Sequence, residues 1–160
     1  MTGDLVLSAT GHRPDKLGGH NENTALRLRA LARREIAEIA PTRVISGMAL
    51  GWDQAIAHAA IDLCIPFVAA VPFRGQEGKW PYASQREFHD LLTHAAEIVI
   101  VSQGRYAPWK MQLRNEWMVD NSGLVLALWD GSTGGTANCV NYARAMRKDI
   151  RNAWPRFLNA

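Results

Sequence analysis

The chain has 160 residues, of which 48% are hydrophobic and 21% charged, and this balance is typical of one domain that buries a single core. No apolar run approaches the roughly 20 residues that cross a bilayer, and the N-terminal residues do not resemble a secretory signal, so we expect a cytoplasmic protein with no membrane partner. A net charge of +3 suits anionic ligands, but the basic residues form no block.

Short apolar runs alternate with amphipathic segments along the chain. The runs predict strands at residues 5–10, 43–46, 65–71, 97–102 and 124–129. Helices are predicted at residues 23–39, 52–63, 84–95, 111–121 and 137–148. This alternation predicts a single α/β domain over residues 1–160, Rossmann-like and doubly wound, with a mainly parallel sheet of about five strands and helices on both faces.

The cysteine and histidine residues show no pattern typical of a metal site. Cys64 and Cys139 are far apart, without a CxxC motif, so reduced thiols are expected. The histidines also lack the spacing of metal ligands. We therefore predict neither a metal nor a cofactor.

Glycine, arginine, asparagine and tryptophan residues concentrate where the predicted strands end. The five strands lead into "TGHRPDKLGG", "SGMALGWD", "PFRGQEGKWPY", "SQGRYAPWK" and "WDGSTGGTANC". Ligands of doubly wound sheets bind beyond the carboxyl ends of the strands. Gly-rich turns that open a helix also leave room for a phosphate near backbone amides. The turns at 47–51 and 131–136 are therefore predicted to bind different parts of one anionic ligand.

Neither turn carries a standard nucleotide motif. The spacing GxGxxG, followed by an acidic residue after the next strand, is absent, and so is a Gly-Lys-Ser/Thr ending. The sequence therefore argues against a conventional NAD or ATP site.

The same junctions carry a family resemblance. The segments "TGHRP", "ISGMALGWDQ", "AVPF" and "RNEWMVDNSGLVLALWDGSTGGTANCV" resemble the YpsA-like branch of the SLOG superfamily. The resemblance covers residues 10–143 and implies a Rossmann-like domain that binds a nucleotide or a nucleotide-derived ligand. "SGMALGWDQAIAHAA" also resembles the DNA-processing protein A family, which binds single-stranded DNA. "MQLRNEWM" and "GSTGGTANC" resemble, more loosely, the lysine-decarboxylase-like phosphoribohydrolases, which release the base from nucleoside monophosphates.

One catalytic residue of the phosphoribohydrolases is missing. Arg114 stands at that family's arginine position, but Cys139 stands where its catalytic glutamate would be. That chemistry needs a carboxylate. Candidates for a catalytic role are Arg114, Asp53, Glu77, Glu116 and Asp130. We predict binding or sensing of a small nucleotide, with an N-glycosidase as the alternative and single-stranded DNA binding as a second alternative.

The candidate ligand-binding residues are junction residues of a type that suits phosphate, sugar or base. Many of these residues could instead have a purely structural role, because glycine suits any tight turn and an aspartate suits the first turn of any helix. Trp80 is the predicted lid or stacking residue. A homodimer is also expected, through the apolar faces of residues 55–63 or 113–121. The full set of candidate ligand-binding residues is Gly11, His12, Arg13, Ser46, Gly47, Met48, Ala49, Gly51, Trp52, Asp53, Pro72, Phe73, Trp80, Arg114, Asn115, Asp130, Gly131, Gly134, Gly135 and Thr136.

Overall fold

A computed structural model describes residues 3–159 and contains one six-stranded parallel sheet. The strands are β1 Val6–Gly11, β2 Arg43–Ser46, β3 Phe67–Val71, β4 Glu97–Ile100, β5 Leu124–Leu128 and β6 Asp149–Asn152. Their order across the sheet is β4-β3-β2-β1-β5-β6, and every neighbouring pair is parallel. The predicted doubly wound α/β fold is confirmed, with six strands in place of about five.

Helices cover both faces of this sheet. They are α1 Glu22–Ile39, α2 Trp52–Asp62, α3 Tyr82–Thr93, α4 Pro108–Asp120, α5 Gly135–Ala145 and α6 Trp154–Leu158, and a 3-10 turn at Pro14–Lys16 follows β1. The larger core lies between the sheet and α1, α2, α3 and α6, whereas α4 and α5 pack on the other face. None of the helices within residues 3–159 has the length and apolar character of a bilayer span.

The sequence pattern misses β6 and α6 because both are held by contacts with distant residues. Glu35 of α1 is fully buried, and its carboxylate lies 2.6 Å from Arg151 Nε and 3.0 Å from Arg156 Nη1. Phe157 is buried as well and packs beneath the guanidinium of Arg27. The predicted helix at 137–148 correspondingly ends at Ala145, because the chain turns there into β6.

One of the two helix faces expected to join two copies is occupied within the chain. In the 55–63 segment of α2, Ala55, Ile56 and Ala59 are buried and belong to the core shared with α1. In the 113–121 segment of α4, Met118 and Val119 are buried as well, whereas Leu113 is exposed. Of the two predicted faces, the one on α4 thus keeps one large exposed apolar side chain.

The strand order places a crevice beside β1. From β1 the chain builds outward through β2, β3 and β4, and then returns to place β5 and β6 on the other side of β1. The loops that leave β1 and β5 therefore diverge to opposite faces of the sheet. Such a reversal of strand order opens a ligand crevice at the carboxyl ends of the strands.

Candidate functional site

A cleft of about 460 Å³ lies at this reversal point, at the carboxyl ends of β1, β2 and β5. Its walls are the loop after β1, the start of α2, the first turns of α4 and the loop that leads into α5. Half of the predicted ligand-binding residues line it: Gly11, His12, Arg13, Ala49, Asp53, Arg114, Asn115, Gly134, Gly135 and Thr136. The other half lie beneath it or outside it: Ser46, Gly47, Met48, Gly51, Trp52, Pro72, Phe73, Trp80, Asp130 and Gly131.

In the loop between β2 and α2, where the phosphate cradle at 47–51 is predicted, two of the amides already have partners. The Met48 N–H donates to Ser46 Oγ at 3.1 Å. The Ala49 N–H donates to Asp53 Oδ2 at 3.4 Å. These donors are therefore used within the protein.

The two glycines of that loop instead allow close packing. Gly51 has a φ of +92°, and a Cβ there would lie 2.7 Å from the His12 carbonyl oxygen. A Cβ at Gly47 would lie 2.8 Å from Arg114 Nη1 and 2.9 Å from Asp53 Oδ2. Both glycines hold the floor of the cleft together, and neither lines it.

The loop before α5 does present free amides. Its N-cap residue, Gly134, has a φ of 138° and no side chain caps the helix. The N–H groups of Gly135 and Thr136 have no hydrogen-bond partner among residues 3–159. A Cβ at Gly134 or Gly135 would meet no atom within 4 Å. The positive end of α5 is therefore open to the cleft and suits an anion.

A hydrogen-bonded network ties the loop after β1 to the loop after β5. His12 Nε2 lies 2.8 Å from Asp130 Oδ1. The Ser132 N–H donates to the same oxygen at 2.9 Å, and Lys16 Nζ donates to Ser132 Oγ at 2.8 Å. The hydrogen bonds from Ser132, with a smaller contribution from His12, hold the pKa of Asp130 well below its usual range. Asp130 therefore positions the wall of the cleft instead of lining it.

Arg114 is almost completely buried in the floor of the cleft, with 4% of its surface exposed. Its Nη1 donates to the carbonyl oxygens of Gly47, at 2.6 Å, and Ala70, at 3.3 Å. Its Nε donates to Asn115 Oδ1 at 3.0 Å. The guanidinium of this predicted ligand-binding residue is thus largely engaged in holding the ends of β2 and β3.

Asp53, in the first turn of α2, is the buried carboxylate of this floor. Only 6% of its surface is exposed, and its Oδ1 has no hydrogen-bond partner among residues 3–159. Burial raises the pKa of Asp53 to about 6, although the nearby charge of Arg114 lowers it. Buried polar atoms are rarely left unpaired, and a carboxylate with a raised pKa in a cleft is a candidate functional group.

Several predicted residues have other roles. Trp80 packs edge-on against the buried Phe88, with ring centroids 5.5 Å apart, so it forms part of the core and is not a lid over the cleft. Glu77 accepts a hydrogen bond from His89 and lies away from the cleft, as does Glu116.

Cys139 is buried in α5, where burial raises the pKa of its thiol to about 11. No group of His, Cys, Asp or Glu within 3–159 could hold a metal ion.

Sequence reasoning missed seven residues of the cleft. Lys16 and Asp15 stand in the same junction as His12, and the charge of Lys16 was the available signal. Met111 was missed because α4 begins three residues before the predicted start, at Pro108. The full set is Thr10, Asp15, Lys16, Tyr106, Pro108, Met111 and Thr133.

Solved structures with this fold include proteins with different names. The DNA processing protein A of Streptococcus pneumoniae matches with a TM-score of 0.65 at 16% identity, over 92% of this chain and 49% of that one, so this chain spans about half its length. The DNA processing protein A of Helicobacter pylori, described for its single-stranded DNA binding mode, gives 0.64 at 17% identity, over 97% and 72%. The molybdenum cofactor carrier protein of Chlamydomonas reinhardtii gives 0.57 at 14%, over 92% and 74%. At these identities the similarity concerns the fold alone.

Sequence comparison gives the family. The SPbeta prophage-derived protein YoqJ of Bacillus subtilis (strain 168) is 36% identical over 118 residues, which cover 64% of this chain and 69% of YoqJ. The YpsA family model, described as the YspA SLOG family, matches residues 7–158. Because this match extends from β1 to α6, the chain belongs to the YspA SLOG family.

Proposed function

We propose that the protein binds a small nucleotide or a nucleotide-derived ligand in the cleft beside β1. The observation that carries this proposal is the pair of unpartnered N–H groups, from Gly135 and Thr136, at an uncapped helix N-terminus that opens into the cleft. The unpaired, buried Asp53 in the same cleft supports it independently. A volume of about 460 Å³ suits a mononucleotide, since ligand pockets measure roughly 300–1,000 Å³.

The anionic group of the ligand is placed at the start of α5. The free N–H groups of Gly135 and Thr136 donate to phosphate oxygens, and the helix dipole adds to the attraction. Arg13 and Lys16 line the neighbouring wall and bring two positive charges to the same region. This wall is therefore the most favourable place in the cleft for a phosphate.

The base is placed at the mouth of the cleft, against Tyr106. The Tyr106 ring is 62% exposed and contacts Phe73 edge-on, with centroids 5.9 Å apart. Its loop is held by Lys110, whose ammonium group donates to the carbonyl oxygens of Gln103 and Arg105. An exposed aromatic ring on a fixed loop suits base stacking, and Tyr106 takes the role that the sequence assigned to Trp80.

Gly135→Val is expected to weaken the binding of nucleoside 5′-monophosphates at least tenfold. The valine side chain would fill the space in front of the free amides, and losing a charge-assisted hydrogen bond costs about 1.5–3 kcal/mol. The fold should be unaffected, because a Cβ at Gly135 meets no atom within 4 Å. Isothermal titration calorimetry with AMP, GMP, CMP and UMP measures the affinity, and thermal unfolding checks the fold.

The matched control is Gly123→Val, at the opposite edge of the sheet. A Cβ at Gly123 would make only an ordinary contact, 3.6 Å from Leu5 Cδ1. This variant should bind each nucleotide as the parent does. The proposal is wrong if the parent binds none of the four nucleotides, or if Gly135→Val is folded and binds them with the parent's affinity.

A second candidate function is hydrolysis of the N-glycosidic bond, and Asp53 favours it. A carboxylate whose pKa is raised to about 6 can accept a proton from a water that attacks the sugar C1′, while the base leaves with the electron pair of the C1′–N bond and takes a proton from solvent. Nucleoside monophosphates would then release free base in the presence of the parent but not of Asp53→Asn. If the parent releases no base, binding remains the function of the cleft.

A further inference from the structure

The cleft is divided by charge into two regions. The wall formed by the start of α5, Arg13 and Lys16 attracts an anion, whereas in the floor the charges of Asp53 and Arg114 offset each other. A phosphorylated ligand is therefore oriented with its phosphate against the wall and a neutral group over the floor. Asp15, the other carboxylate of the lining, is exposed to solvent and has a weaker effect.

Two side chains of the floor carry hydrogen-bonding groups without a partner among residues 3–159. One of these groups is an acceptor and the other is a donor. Asp53 Oδ1 is a buried acceptor without a partner among residues 3–159. Asn115 is also buried in the lining, and its Oδ1 faces Arg114 Nε, which is only a donor. The Asn115 NH2 group must then point elsewhere, and it donates to no other group within 3–159. Asp53, with a buried and unpartnered carboxylate oxygen, and Asn115, with an unpartnered NH2 group, thus both line the cleft.

Hydroxyl groups complement this surface. A hydroxyl group donates its proton to a carboxylate and accepts a hydrogen bond from an amide N–H. A phosphate at neutral pH lacks the protons that would satisfy Asp53 Oδ1. In a nucleotide the sugar joins the phosphate to the base, so a ligand with its phosphate at α5 and its base at Tyr106 places the sugar over Asp53 and Asn115.

We infer that Asp53 and Asn115 bind the 2′,3′-hydroxyl groups of a ribose, and that the cleft selects 5′-ribonucleotides over 2′-deoxyribonucleotides. This inference rests on the proposed function and names the class of its ligand. A preference for ribose also argues against the alternative of single-stranded DNA binding, because DNA lacks the 2′-hydroxyl group.

The test compares AMP, GMP, CMP and UMP with the 2′-deoxynucleotides dAMP, dGMP, dCMP and dUMP by isothermal titration calorimetry. The parent should bind the ribose form of at least one pair tenfold or more tighter than its 2′-deoxy form. Asp53→Asn should bring the ratio of the two affinities close to one, because one of the two acceptor oxygens becomes a donor. Asp90→Asn, which alters an exposed carboxylate of α3 outside the cleft, should keep the parent's ratio.

Each result separates the inference from the proposed function. Equal affinities of the parent for ribose and deoxyribose forms overturn the inference and leave the proposed function standing, and this result needs no variant. A folded Asp53→Asn that keeps the tenfold preference also overturns it, as does a preference for one base without a preference for ribose. If no nucleotide of either series binds, the proposed function is wrong and the inference falls with it.

Discussion

Gly11→Ala is expected to lower the free energy of unfolding by about 3 kcal/mol. A Cβ at Gly11 would lie 2.6 Å from Cγ and 2.7 Å from Cβ of Trp52. Trp52 is fully buried, and its indole N–H approaches the Leu126 carbonyl oxygen at 3.5 Å, so the ring has no free space into which it can move. The end of β1 and the start of α2 would have to separate, and the cleft lies between them.

Urea denaturation followed by circular dichroism measures this loss, and Gly135→Ala is its control. Gly135 also stands in a Gly-rich turn of the cleft, but a Cβ there meets no atom within 4 Å. Replacing a glycine in a helix with alanine usually gains up to about 1 kcal/mol, so this variant should be as stable as the parent or slightly more stable. An unchanged urea midpoint for Gly11→Ala would show that Trp52 does not fix the end of β1.

The sequence predicts the sheet and the edge that carries the cleft because both depend on local patterns. Strands such as Val6–Gly11 and Leu124–Leu128 are apolar runs that end at glycine-rich or charged junctions. The strand Asp149–Asn152 has no such pattern, since its sequence is DIRN and it lies at the edge of the sheet. Its place depends on Glu35, which is more than a hundred residues earlier in the chain.

The glycines show why only part of the cleft could be predicted. A glycine that frees an amide for a ligand and a glycine that makes room for a neighbouring side chain look alike in sequence. Gly135 is of the first kind, since nothing lies near it. Gly47 is of the second kind, and its neighbour is Arg114, 67 residues further along the chain. Only the folded structure brings these two residues together and separates the two roles.

Asp53→Asn is expected to become more stable relative to the parent as the pH rises. The pKa of Asp53 rises from 3.8 to about 6 on folding, so the folded protein holds this proton more tightly than the unfolded chain. Below pH 4 the group is protonated in both states and has no effect. Between pH 4 and 6 the unfolded state loses its proton first, and the stability of the parent falls. Above pH 6 the full penalty of about 3 kcal/mol is present, because each pKa unit corresponds to about 1.4 kcal/mol.

Urea denaturation of both proteins at pH 4.5, 6 and 7.5 tests this prediction. Asparagine does not titrate, and part of the penalty is already present at pH 4.5, so the difference in free energy of unfolding between variant and parent should grow in favour of the variant by about 2 kcal/mol between pH 4.5 and 7.5. If the difference between Asp53→Asn and the parent is equal at all three pH values, burial does not raise the pKa of the Asp53 carboxyl group. A growing difference, together with loss of ribose preference, would show that Asp53 destabilises the folded protein at neutral pH and serves the ligand.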